Sequence, residues 1–430
     1  MTIVYLKIAL AAALTMMTLA IVAQVNCIII RRKFDAIAPV IVGGTIRLSL
    51  FALIFVLLEK PIISDPIYFY YPQAKWAAQG DVWNADFGSS YSPLFPYFGA
   101  VLLRIWNDPR VFILFALGID SVGLWFWHSL LKKTITREDA LNISMCYALS
   151  APVIVSALVG QQQVWIGAGL AASIWLLIVK DRPATSAIVQ GVTVCVTKML
   201  AILFWPVLFA VSTPRARWLV AALVIPFLTI AIFAWLGSDL LLGLRYEQQD
   251  STSGNLIYYV SYLVRGGRQY FLFYDIVTAL CLLGVSFFVF VRLRGNEHCD
   301  IGAVLSAISL VLVTLLLVTK KSYANYLSLA YFAVLFVLYK NLPRFWYWCA
   351  FALFSVAGTV SPSIWFATHG NRKRLQDWLQ QSGWSAALPT IIVDWTLILL
   401  YALTAYICLQ VLAGRRIPRY PVSPRPPAVH

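Results

Sequence analysis

Long apolar runs separated by short basic clusters set the pattern of this chain. The first run extends from Ile3 to Ile30 and stops at Arg31-Arg32-Lys33. Further runs lie near residues 37–59, 109–131, 140–159, 163–179, 184–197, 199–212, 217–236, 274–293, 301–318, 323–340, 344–361 and 389–411. A helix needs about 20 apolar residues to cross the hydrocarbon layer of a bilayer. Residues 304–318 and 396–412 are continuously apolar, whereas a membrane-barrel strand alternates over about ten residues. The pattern therefore predicts helices, with about thirteen crossings. The runs 184–197 and 199–212 are each shorter than a full span, which predicts two broken helices meeting at Lys198. The first run is longer than a signal-peptide core and has no small-residue cleavage site before Arg31, so its retention is expected.

Placing Arg31-Arg32-Lys33 in the cytoplasm fixes the orientation of every later span. The connections that then fall inside carry Lys132, Lys133 and Arg137; Lys180 and Arg182; Arg215 and Arg217; Arg292 and Arg294; Lys340 and Arg344; and Arg415, Arg416, Arg419 and Arg425. Each short inside loop is basic, as the positive-inside rule asks. The N-terminus is then outside and the C-terminus inside. Three long polar segments, 60–108, 237–273 and 362–388, fall outside. Function is expected there, because the inside loops are too short to hold a soluble catalytic domain. The Pro-rich end from Ile417 to His430 reads as disordered. No internal repeat is evident, which argues against a transporter built from duplicated halves.

Composition narrows the class further. Hydrophobic residues make up 61% of the 430 and charged residues only 12%, with a mean hydropathy of +0.79; soluble domains carry roughly 25% charged residues. A soluble enzyme, a disordered chain and a single-anchor receptor are excluded. The 33 Lys and Arg outnumber the 18 Asp and Glu to give +15. Cytoplasmic loops and anionic headgroups account for much of that excess, and no nucleic-acid-binding motif is present, so the expected partner is the lipid bilayer and not nucleic acid. The seven cysteines form no C-x-x-C and mostly lie in apolar runs, where they read as packing residues. His128, His298, His369 and His430 sit in separate segments with no H-x-x-x-H spacing, so no metal site is expected. Neither a cofactor nor direct nucleotide use is indicated, since there is no phosphate-binding G-x-x-x-x-G-K-[ST] loop.

Candidate chemistry concentrates in the first outside segment. Asp65, in Ser64-Asp65-Pro66, begins a few residues beyond the second span, at the membrane surface, where a carboxylate reaches a lipid headgroup. The alternative is a helix N-cap, a role Asp fills well. Residues 72–80 have amphipathic helical spacing, and Tyr91-Ser92-Pro93-Leu94-Phe95-Pro96 opens a second short apolar stretch to Trp106. Two helices lying on the bilayer are predicted. Lys198 falls within the apolar stretch Val192 to Phe209, an expensive place for a cation unless it is used or snorkels to the interface. Lys320 and Lys321 either bind an anion or anchor a helix end, and Arg265 and Arg268 are further outside cations. Gln161 to Gln163 either bind sugar hydroxyls or cap a hairpin. Arg47 and Asp120, each inside a predicted span, read as a structural ion pair, and His369 with Arg372-Lys373-Arg374 reads as a solvated charge run.

Asp65 followed by Tyr70-Tyr71 and Gln79-Gly80, then Tyr91-x-Pro93, with Gly160-Gln161-Gln162 at an outside hairpin and Lys198 between two short helices, together resemble the polytopic GT-C glycosyltransferases. Within them the pattern is similar to the polyprenol-phosphate-mannose-dependent mannosyltransferase family, over roughly residues 37 to 215. The later part departs from that family: Lys320-Lys321-Ser322-Tyr323-Ala324-Asn325-Tyr326 has Asn325 where a His is often found.

The resemblance implies an all-α polytopic membrane protein, a GT-C-like bundle of about 11–13 transmembrane helices under an extracytoplasmic loop layer. It divides the chain into an extra N-terminal helix and basic loop (1–36), a catalytic membrane module (37–215), a C-terminal membrane module (216–414) and the tail (415–430). It implies a bacterial plasma-membrane enzyme of cell-envelope glycan synthesis with its site on the extracytoplasmic face. The implied reaction is inverting transfer of mannose or another sugar from a polyprenyl-phosphate donor to a glycan or glycolipid acceptor. Asp65 is then the general base; Lys198, Lys320, Lys321, Arg265 and Arg268 are candidates for the donor phosphate; and Tyr70, Tyr71, Tyr91, Gln161, Gln162 and Asn325 for the substrate. The other classes open to such a sequence are a lipid-linked-sugar flippase or transporter and an O-antigen polymerase or ligase. A flippase needs polar groups along a path through the bilayer, whereas here polar and aromatic residues gather in outside segments.

Overall fold

The computed structural model describes residues 2–28, 37–243, 245, 252, 254–263, 271–294, 300–320, 322–369 and 375–414. Arg265, Arg268, Lys321, the run Arg372-Lys373-Arg374, the side chain of His369 and the tail 415–430 lie outside the described residues. The described residues are overwhelmingly helical, with one isolated bridge between Trp83 and Phe87 and no strand. Among the described residues, eight helices are long and apolar enough to cross a bilayer: Val4–Val22, Ala38–Leu57, Arg110–Thr134, Arg215–Trp235, Leu272–Leu293, Ile301–Val318, Arg344–Ile364 and Ala387–Leu412. The chain is an all-α, multi-pass integral membrane protein. Shorter apolar helices, Gln163–Ile178, Pro183–Val196, Met199–Val211 and Tyr331–Asn341, occupy the remaining apolar runs.

The first nine α-helices among the described residues are α1 (Thr2–Ile28), α2 (Ala38–Phe51), α3 (Tyr71–Gln79), α4 (Phe95–Ile105), α5 (Arg110–Thr134), α6 (Arg137–Ala148), α7 (Ala151–Leu158), α8 (Gln163–Ile178) and α9 (Pro183–Val196). The run at 140–159, expected to be one span, is two helices bent by 46°. The cause is local. Pro152 has no N–H to give the carbonyl four residues back, that of Ala148, so the helical ladder fails there. Arg47 Nη1 takes up that carbonyl at 2.7 Å. The expected Arg47–Asp120 pair is present, with Nη2 and Oδ2 2.7 Å apart and both side chains 1% exposed. Tyr147 donates to the other carboxylate oxygen at 2.8 Å. This buried network ties α2 and α5 to the break.

Small residues let helices approach closely, as lipid-embedded packing requires. A Cβ on Gly123 of α5 would come within 2.9 Å of Ala168 in α8, and one on Gly191 of α9 within 2.7 Å of the Ala222 carbonyl in Arg215–Trp235. α1 packs on Arg344–His369. The two short helices predicted in the first long segment are α3 and α4; they pack on each other, and α4 leaves Val101, Ile105 and Trp106 exposed. As expected, the chain breaks at Lys198, where an extended residue separates α9 from the 3₁₀ turn Met199–Phe204.

Candidate functional site

Asp65 follows the end of the Ala38–Leu57 span and opens the π-helical turn Pro66–Tyr70. Its side chain makes no capping bond. The backbone of that turn is held by the Ser64 carbonyl, which accepts from Ile67 and Tyr68. The carboxylate instead accepts from two tyrosine hydroxyls, Tyr91 at 3.2 Å and Tyr70 at 3.4 Å, both on Oδ2. Both bonds are longer than the usual hydroxyl distance of about 2.7 Å, and an ionised carboxylate has about four acceptor sites. Half-buried Asp65 therefore keeps accepting capacity toward a ligand.

An aromatic block fixes the two tyrosines. The Tyr70 ring lies edge-on to Tyr91 at 5.1 Å, to Phe95 at 4.8 Å and to Phe112 at 5.6 Å. Phe95 and Phe112 are fully buried. Burial first, and then the adjacent Asp65 carboxylate, hold the Tyr70 hydroxyl well above the ordinary tyrosine pKa. It stays protonated and remains a donor.

Lys198 also reaches this group. Lys198 Nζ sits 4.8 Å from the centroid of the Tyr91 ring, a cation–π distance. Backbone bonds enforce this meeting: Ser92 N–H donates to Thr197 O and Leu94 N–H to Cys195 O, both at 3.1 Å. Tyr91 thus carries the carboxylate on its hydroxyl and the ammonium over its ring.

The hairpin Gly160-Gln161-Gln162 closes another side. Gly160 has φ +70°, and a Cβ there would overlap Pro66 Cγ, so the Asp65-Pro66 turn is seated directly on this glycine. Gln161 Oε1 accepts from Asn325 Nδ2 at 3.0 Å, which brings the 3₁₀ turn Ala324–Leu329 into the group. Gln162 is fully buried, and neither polar atom of its side chain has a protein partner; the same holds for Asn325 Oδ1 and Ser92 Oγ. Buried polar atoms left unmet cost about 1–3 kcal/mol each, so this set has hydrogen-bonding capacity to spare.

The fold therefore brings together Asp65, Tyr70, Tyr91, Gln161, Gln162, Lys198 and Asn325. These residues come from loops at one end of the bundle, after α2, α7, α9 and Ile301–Val318. At the other end the basic connections gather: Arg215 Nη2 donates to Arg294 O at 3.0 Å, and Lys340 pairs with Asp139 at 2.7 Å. Two candidate residues lie apart from this group. Tyr71 turns away, its hydroxyl 3.2 Å from Asn107 Oδ1 and its ring under Lys75, because neighbouring helix positions point about 100° apart. Lys320 is buried and bonded to Asp275 at 2.6 Å, so its charge is already engaged. The sequence reading missed Thr197 and Ser92, whose backbone groups set the Tyr91–Lys198 contact and which carry no compositional signal. Among the described residues no group of three or more His, Cys, Asp or Glu could hold a metal ion. In comparisons with known proteins, no family profile and no curated sequence matches this chain.

Proposed function

We propose that the protein is a membrane glycosyltransferase that moves a sugar from a polyprenyl-phosphate donor to a hydroxyl of a glycan or glycolipid acceptor, with inversion. One observation carries the reading: Asp65 spends no bond on capping, and Tyr91 holds it beside Lys198 at the membrane end of a helical bundle. In the proposed reaction the acceptor oxygen attacks the anomeric carbon on the face opposite the phosphate. Asp65 takes the hydroxyl proton as it becomes acidic. The anomeric C–O bond breaks, its electron pair leaves with the polyprenyl phosphate, and Lys198 meets the charge that develops on the phosphate oxygen. Tyr70 and Tyr91 hold the carboxylate in line, and the amides of Gln161, Gln162 and Asn325 take the sugar hydroxyls.

A lipid-linked donor suits this position, because its tail stays in the bilayer while its phosphate reaches the loop layer. The basic loops at the opposite end support an extracytoplasmic site by the positive-inside rule. The test is transfer by the purified full chain in liposomes, with a panel of polyprenyl-phosphate sugars and the anomeric configuration of the product read by NMR. One donor should support transfer with inversion. No transfer from any polyprenyl-phosphate sugar, or retention of configuration, would overturn the proposal.

A further inference from the structure

The first long loop forms a concave surface that does not include Asp65. An open depression of about 420 Å³ is lined by Trp76, Asp81, Asp86, Phe87 and Gly88. Trp76, at the end of α3, is 41% exposed and rests on the buried Phe87, with ring centroids 5.5 Å apart. The result is a flat apolar face turned outward. Asp86 is exposed and uses one oxygen to accept from Val82 N–H at 2.7 Å. Asp81 is anchored through its backbone carbonyl, which accepts from Tyr97 Oη at 3.0 Å. Both lining charges are therefore acidic, in a chain whose net charge is +15.

That combination selects a ligand class. Ionised carboxylates only accept hydrogen bonds, so they take hydroxyl donors and repel phosphates and other anions. An aromatic face covers the C–H face of a pyranose ring. Two carboxylates also keep the cavity in water, since a charged group in the bilayer is costly; Trp76 is then not a lipid anchor. The cavity is joined to the candidate site by a short rigid strap. Gly88 lies three residues before Tyr91, at most about 11 Å along the chain. The strap is fixed by Asn84 N–H to Phe87 O at 2.8 Å, Ser89 N–H to Asn84 Oδ1 at 2.7 Å, and Trp83 Nε1 to Tyr91 O at 3.0 Å. A chain held in the cavity keeps a set distance from Asp65.

We propose that this cavity is the subsite for the acceptor, a neutral glycan whose sugar face stacks on Trp76 and whose hydroxyls bond Asp81 and Asp86. The proposal rests on the transferase reading above for the word acceptor, but its binding chemistry can be tested alone. Saturation-transfer NMR on the full chain in lipid nanodiscs reads binding without turnover. Mannotriose, maltotriose and a galactose trisaccharide serve as neutral probes, and trigalacturonate as the anionic one. A neutral probe is expected to bind. Trp76→Ala should weaken it by roughly tenfold, Trp76→Tyr should retain it, and Asp81→Asn with Asp86→Asn should weaken it and admit trigalacturonate. In the transfer assay Trp76→Ala should raise the acceptor KM and leave the donor KM alone. Failure of every neutral probe to bind, binding untouched by Trp76→Ala, or equal binding of trigalacturonate by the wild type would overturn the subsite. Neutral-glycan binding at Trp76 without transfer from any donor would instead overturn the transferase reading and leave the glycan site standing.

Discussion

Gly160→Ala is the most economical test of how the site is built, because it touches none of the groups proposed to act on substrate. Gly160 has φ +70°, a left-handed conformation that costs an alanine about 1–2 kcal/mol. The added methyl would also overlap Pro66 Cγ and lie 3.3 Å from Pro66 Cδ and 3.5 Å from Ile113 Cγ1. Ile113 is fully buried and cannot retreat, and the proline ring has no flexible end. Restoring an ordinary carbon contact of about 3.5–4.0 Å therefore moves Pro66 by roughly 1 Å, and Asp65 moves with it. A displacement of that size in a reacting group costs about 100-fold in rate. Gly237→Ala is the control, since Gly237 has φ +81° with nothing within 4 Å. Gly237→Ala should lose about 1–2 kcal/mol of stability in thermal unfolding and Gly160→Ala more, through its overlap with Pro66, and only Gly160→Ala should lose turnover by about 100-fold. Wild-type turnover in Gly160→Ala, or an equal loss in Gly237→Ala, would refute the claim that this glycine seats Asp65.

Lys198→Met keeps the apolar stem and removes the charge, so folding should hold while kcat/KM for the donor falls about 10- to 100-fold, the value of about 1.5–3 kcal/mol for a charged hydrogen bond. Unchanged donor kinetics would make Lys198 a snorkelling residue. Asp120→Asn should destabilise by about 3–5 kcal/mol, because it leaves the buried Arg47 guanidinium without its counter-ion; adding Arg47→Met should recover part of that in the same unfolding assay, and an unaltered melting temperature in Asp120→Asn would refute the reading. Tyr70 is held protonated in the fold, so its contribution to stability is complete below about pH 10, where an exposed tyrosine ionises, and declines as pH rises above it. Tyr70→Phe should flatten that alkaline decline in thermal melts, and an identical slope would count against it.

Apolar run length made the helices legible, since crossing a bilayer constrains composition more strongly than any soluble fold does. Asp65, Lys198 and the Gly160 hairpin were also visible, because a charge or a glycine at the edge of such a run stands out. The break in the fourth span was written in Ser150-Ala151-Pro152, yet it depends on Arg47, about 100 residues earlier, to satisfy the Ala148 carbonyl. Pairings between distant segments leave no local pattern. For the same reason the sequence could place Lys320 near an anion but not show Asp275 beside it, and could nominate Tyr71 without revealing that it faces Asn107. The cavity at Trp76 went unread because two aspartates and an aromatic in a polar loop look like ordinary surface until the loop folds back.

The central claim is that Asp65 removes a proton from an acceptor hydroxyl, and the variant that isolates it is Asp65→Asn. The amide keeps the shape of the side chain and cannot take the proton. With the purified protein and its donor, turnover should fall by about 10²- to 10⁴-fold, while the donor still binds and the protein melts where the wild type does. Turnover near the wild-type rate in that variant would contradict the account and leave Asp65 as a structural partner of Tyr70 and Tyr91.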